Sequence, residues 1–490
     1  MNLKLTSIVA TICIALCACN KKGTITETDN GNYTIFPDYK NVTIPCNIAP
    51  LNFSLIDAPD AEYALFIEGN EQSIWVNAKG KDFFIASNKW EKLLKSESEH
   101  TLTFTIAHKQ DNKWIGSAPF VVNVVPDQID DYITYRLIPP GYENWTNMGI
   151  YQYQLSTSKQ TTIFDNSHTG LNCVNCHTVG SQSPQRTLLH MRAQNGGTYI
   201  NRNGQIERID AKTDSTISAF VYPAWHPNGQ FIAFSNNITA QTFHTSHPNR
   251  VEVFDDGSDI IMYDADFHEI FTSPLLKQAN VYETFPAFSP DGKWLYFCSA
   301  PAVEQVELNF ANVHYSLCRI AFDADSRSFG TTVDTIYNAR IMGGSVSFPR
   351  ISPDGRMLVF TLSQFGNFSI WHRDADLYAI DFTKRTLHRI DEINSPDVES
   401  YHSWSSNSRW LVFSSRRDDG LYTRLYFAYF DANGRAHKPF MLPQQNPAKH
   451  YLQLDFSYNI PEFMTGPAIV KTKQLYKASQ AEMIEAKYIY

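Results

Sequence analysis

One short stretch combines residue types and spacing suited to covalent cofactor chemistry: Leu171, Asn172, Cys173, Val174, Asn175, Cys176, His177, Thr178. Cys-x-x-Cys-His is the attachment motif of c-type haem. Two thiols three residues apart can reach the vinyl positions on one edge of the macrocycle, and the next residue can give its imidazole to the iron. Composition alone would produce roughly 0.004 such matches in a chain of this make-up. The motif therefore predicts one covalent haem c on Cys173 and Cys176, with His177 as iron ligand. A Cys173–Cys176 disulfide, a redox-active dithiol and a zinc site are the rivals. Zinc would want a second Cys-x-x-Cys, which the sequence lacks, and a thioredoxin-like dithiol would want a βαβ context. For the sixth iron position His190 and Met191 are candidates, and on a strand they would point to opposite sides. Met148, His168 or a residue from elsewhere in the chain are further choices.

The N-terminus sets the compartment such chemistry needs. Met1 to Cys19 carries one positive charge, Lys4, and an apolar stretch from Ile8 to Leu16. That pattern is a signal peptide, too short for a stable membrane anchor. Leu16, Cys17, Ala18 and Cys19 resemble a bacterial lipobox, which implies cleavage after residue 18 and lipidation of Cys19. Cys17 or an unlipidated site is the alternative. Lipid chains would hold the body on a membrane of a Gram-negative envelope, at the periplasm or outer membrane. Residues 19–40 then read as a tether. The net charge of −9 argues against a nucleic-acid partner, which needs a basic footprint.

The rest of the chain reads as all-β. Aromatic residues make up 13% of it and charged ones 19%, which excludes a disordered chain or a coiled coil. Across 41–128, Leu102, Phe104 and Ile106 alternate with Thr101, Thr103 and Thr105, and Phe120, Val122 and Val124 repeat the pattern. Several such strands predict a small immunoglobulin-like sandwich, with a helical turn at 89–94. It could serve as a spacer or as a docking module. Further on, an internal repeat dominates. Its copies start at Tyr222, Phe285, Phe348 and Tyr401, each an extended arm, a tight turn and a strand with an aromatic at a fixed place. In Pro290-Asp291-Gly292 and Pro353-Asp354-Gly355 the Pro sets φ and the Gly closes the turn, so these carboxylates read as turn chemistry. Such a unit buries its faces only against its neighbours, as a propeller blade does.

The Ser-Pro-Asp-Gly-(Lys/Arg)-x-Leu-x-Phe pattern, as at Ser289 to Phe297, resembles the blades of TolB-like β-propellers. The resemblance implies a propeller over residues 129–470, with six blades as the first count and seven as the alternative, and a tail at 471–490. Within a haem-binding segment of 165–198, the stretch Leu188 to Arg192, with its His-x-Arg and with Gly196, Gly197 and Thr198 after it, also looks like the tail of haem-bearing propeller lipoproteins. That resemblance favours His190 over Met191 as distal ligand and offers Arg192 as a partner for a haem propionate. With both axial positions filled, such a haem would move electrons to or from a redox partner protein rather than catalyse. The alternative is a TolB-like scaffold that binds a protein or glycan on a propeller face. Gly-x-Ser-x-Gly, His-Glu-x-x-His and phosphate-loop motifs are absent from the sequence. His244 and His247 are spaced for metal but sit in a polar loop. Cys298 and Cys318 read as a disulfide or as buried thiols.

Overall fold

The computed structural model describes residues 23–489, apart from 30, 140–146 and 248. The signal segment and Cys19 lie outside the described residues. The architecture is all-β, a β-sandwich followed by a β-propeller.

In the sandwich a seven-stranded sheet faces a three-stranded one. Leu102, Phe104 and Ile106 on the strand Thr101–Gln110 turn inward, because a period of two puts every second side chain on one face. Trp90, Leu93 and Leu94 of the helix Ser87–Ser96, longer than the expected turn, close the core. Part of the expected tether is built in. Ile25–Thr28 pairs with Lys113–Gly116, and Thr34–Phe36 pairs with Phe53–Ile56, burying Ile35. The sandwich is also no free spacer. One apolar cluster runs from Trp90 and Phe104 into Trp410 and Phe427 of the propeller. Asn52 donates to the Gln444 and Gln445 carbonyls at 3.2 and 3.0 Å.

Six further sheets follow among the described residues, each built on four antiparallel strands. Their innermost strands are, in order round the ring, Ser457–Met464, Val174–Val179, Phe220–Trp225, Val281–Phe288, Ser345–Ile351 and Glu399–Trp404. Each touches the next, and the last touches the first. The ring is closed by the C-terminal strand Ser457–Met464, which pairs antiparallel with Tyr132–Ile138 and completes the first blade.

Turn chemistry repeats at the lower end of the blades, where the inner strands finish. Ser289 donates to Asp291 at 2.5 Å and accepts from the Trp294 amide at 3.0 Å. Ser352 with Asp354 and Met357 makes the same set, as does Ser405 with Asn407 and Trp410. The Asp residues thus hold turns, and Gly292 (φ +73°) and Gly355 (φ +74°) supply the left-handed residue. The tail is more integrated than a surface helix. After Thr472–Ser479, Ile484–Glu485 and Lys487–Tyr488 add parallel edge strands to the second and third blades.

Candidate functional site

The Cys-x-x-Cys-His segment is the arm of a blade. Val174–Val179 is the inner strand of the second blade, and its ladder to Arg186–Met191 skips between Asn175 and Thr178. The other five inner strands skip at the equivalent place. The residue at the skip has a positive φ in every case: Cys176 (49°), Tyr222 (48°), Phe285 (52°), Phe348 (51°), Tyr401 (47°) and Ile460 (51°). A non-glycine residue in that region is uncommon, and a bulge re-aims its side chain. Here six bulges turn one residue each toward the axis. Tyr222, Phe285, Phe348 and Tyr401 pack ring to ring with centroids 4.2–4.8 Å apart along the series, closing the channel.

The residue after each bulge is Pro223, Pro286, Pro349 or Pro461 in four blades, and His402 or His177 in the other two. His402 is buried, and its Nε2 lies 2.9 Å from the Val359 carbonyl, to which it donates. His177 is equally buried, but neither ring nitrogen has a hydrogen-bond partner. The backbone of Thr134 and Ile460 faces the ring without reaching hydrogen-bonding geometry. Burial, helped by the nearby Arg136 charge, drives the His177 pKa down to about 3, so the imidazole is neutral.

The thiols of Cys173 and Cys176 are not joined. Cys173 is half-buried at the upper end of the strand, and Cys176 is buried beside Tyr222 and Tyr401. Burial pushes the Cys176 thiol up, so it is no thiolate. His190 and Met191 point to opposite faces of their strand. Met191 packs with Met148, Val174 and Leu189 against the first blade. His190 lies on the other face, with Nδ1 3.1 Å from Thr198 Oγ1. His177 lines a cavity with Ile150, Leu189 and Met464, on the first-blade side. His177 and His190 therefore sit on opposite faces of one sheet, and Met191 shares the face of His177. Arg192 is exposed at the upper end, its amide donating to the Cys173 carbonyl at 2.9 Å. His168 lies 3.2 Å from Asp165 on an exposed turn.

Two thiols, a neutral imidazole with free nitrogens and the cations of Arg136 and Arg192 suit the donor chemistry of a thioether-linked haem. The enclosed space does not. The cavities on either side of His177 each measure about 40 Å³, room for about three waters. A porphyrin would have to part the aromatic ring or the two sheets.

Sequence reasoning missed the upper end of the channel. Phe231–Phe243 and Val251–Asp264 of the third blade run on past the sheet as a hairpin about 20 Å long. It is held by buried polar contacts to the fifth blade. Asn367 donates to Asp255 at 2.6 Å, alongside Asn237 at 2.8 Å, and His372 Nε2 lies 2.7 Å from Glu252. Phe254 stacks on Phe310 of the fourth blade. Burial lifts the Asp255 pKa to about 6. His244 and His247, in the polar loop, lie near its tip with their rings tilted at 52° and centroids 5.5 Å apart. Among the described residues no group of three or more His, Cys, Asp or Glu side chains is placed to hold a metal ion. Cys298 and Cys318 are unpaired, buried thiols.

No family model and no curated protein sequence matches the chain. Similar solved structures include TolB from Acinetobacter baumannii, with 12% identity over 77% of this chain and 85% of that one, at a TM-score of 0.40. The β-propeller domain of the Trilobed protease from Pyrococcus furiosus overlaps with 14% identity over 71% and 94%, at a TM-score of 0.33. Puromycin hydrolase gives 11% over 63% and 52%, at 0.37. Overlap at this level carries no argument about activity.

Proposed function

We propose that this chain is a propeller scaffold of the Gram-negative cell envelope, lipid-anchored through Cys19, that holds a partner at the upper end of its channel. The observation that carries the reading is the extended hairpin of the third blade, held against the fourth and fifth blades. Asp255 near its root is tied to Asn367 and Glu252 near its tip to His372, all buried, so the docking element is rigid before it meets a partner. Pre-ordering of this kind spares the entropy cost of binding. The test places a photo-crosslinking residue at Thr245, exposed near the hairpin tip, and at Asp325 on a lower-end turn, in the full anchored chain in its own envelope. A discrete adduct from position 245 alone is expected. Equal adducts from both positions, or none from 245, would overturn it.

A second reading is favoured by one specific observation, the two unpartnered ring nitrogens of His177. In it, Cys173 and Cys176 hold a haem c covalently, His177 ligates its iron, and the chain exchanges electrons with a redox protein. The group itself would supply one-electron chemistry. The chain's own residues would keep the imidazole neutral through burial and place Arg136 and Arg192 near the attachment point. Mass spectrometry of chain matured with haem-attachment machinery should show a haem adduct on both thiols. Two free thiols, or a disulfide, would end this reading and leave the scaffold intact.

A further inference from the structure

Three arginines occupy the upper end of the sixth blade, and two are fully engaged. Arg417 pairs with Glu399 at 2.9 Å and donates to the Ile393 carbonyl. Arg424 donates to the carbonyls of Phe456 and Tyr451 at 3.0 and 3.3 Å. Arg416 differs. It is 4% exposed and its guanidinium stacks 3.3 Å above the Trp371 ring, yet its enclosed Nε has no partner. The two nearest acids are already engaged. Asp397 pairs with Arg373 at 3.2 Å and accepts from the Val398 amide, and Asp419 accepts from the Leu421 and Tyr422 amides. Arg250, exposed on the hairpin, brings a second positive charge toward the same place. A buried cation without an ion pair is unfavourable, and an anion from outside would offset that cost.

We propose that Arg416, stacked on Trp371 beneath the hairpin, is the receptor for a carboxylate group of the ligand held at the upper end of the channel. The inference rests on that end being the docking face. The guanidinium is a planar donor fork that matches a carboxylate with two parallel hydrogen bonds, and the indole wall keeps water from competing. Arg250 would steer the anion and add the weaker, solvent-screened share.

Isothermal titration of the mature full-length chain in detergent, with succinate, inorganic phosphate and the neutral succinamide as probes, tests this. Succinate should give a saturable isotherm and succinamide none. Arg416→Gln should weaken succinate binding by about tenfold or more, and Arg250→Gln by about threefold. Arg416→Lys, which keeps the charge but loses the fork, should fall between wild type and Arg416→Gln. The melting temperature of Arg416→Gln should match or exceed wild type, since an unpaired charge is removed; a purely structural arginine would lower it. No response to succinate, a response to phosphate alone, or undiminished binding in Arg416→Gln would overturn the assignment. Succinate binding that persists when the position-245 adduct is absent counts against the scaffold alone. The adduct without succinate binding counts against Arg416 alone.

Discussion

The second and sixth blades place a histidine at the same point of the same bulge, and the two histidines live differently. His402 follows Tyr401, is buried, and spends its Nε2–H on the Val359 carbonyl of the fifth blade. His177 follows Cys176, is as deeply buried, and spends nothing. Four other blades solve the position with proline, which brings no ring donor or acceptor to satisfy. The fold therefore does not need an imidazole there. His402 is explained by local packing, whereas His177 is left with a cost that its surroundings do not offset. A motif laid over an architectural position can be recognised by this kind of unmet demand.

The harshest way to break the comparison is to remove one of the six inner strands. A chain ending at Phe456 loses Ser457–Met464, the closing strand, and should lose its cooperative thermal transition in circular dichroism. If the transition survives, the ring is not the unit of stability. Next is the channel plug. Phe285→Ala should destabilise by about 3–5 kcal/mol in urea unfolding, and Cys176→Ala, at the equivalent bulge, by about 1 kcal/mol, because far less volume is removed. Comparable losses would show that Cys176 carries packing the other bulges do not reveal. The histidines then separate. His402→Ala should cost about 1–2 kcal/mol through its lost hydrogen bond and the bare Val359 carbonyl, whereas His177→Pro should stay within about 0.5 kcal/mol of wild type.

The same two rings also respond to pH. Both rings have folded pKa values of about 3, below the ordinary 6.5, through burial. A depressed histidine lends stability that is present above pH 6.5 and is lost as pH falls from there toward about 3. His177→Pro should thus flatten the acid limb of a stability–pH profile. Glu283 has the opposite sign. Burial and the neighbouring Asp259 raise it to about 8, so its share of stability is lost as pH rises from about 4.5 through 8, and Glu283→Gln should flatten that limb.

Much of the propeller was readable because its turns are local. A Ser, an Asp and a Gly within four residues fix the turn at Ser289 and again at Ser352, whatever surrounds them. The alternation of Leu102, Phe104 and Ile106 was readable for a similar reason, since one face must be buried. The second blade was harder. Its inner strand has neither the aromatic-Pro pair of the third, fourth and fifth blades nor the Pro-Asp-Gly turn of the fourth and fifth, so the repeat is not legible there. Only the shared φ near +50° and the shared ladder skip show that Cys176 and His177 stand where Phe285 and Pro286 stand. The hairpin above the channel was not legible beyond the polar loop at its tip, because its anchors, Asn367 and His372, lie more than 100 residues away.

By itself the sequence determined the β class, the blade repeat with its turns, and the presence of a Cys-x-x-Cys-His segment, all properties of neighbours along the chain. Tertiary structure alone decided which strand closes the ring, which face His190 and Met191 take relative to His177, and which of the three arginines at the upper end of the sixth blade is left without an acid. Those outcomes depend on what distant strands bring into contact, and hydrogen-bond satisfaction inside a core is settled only once all its walls are in place.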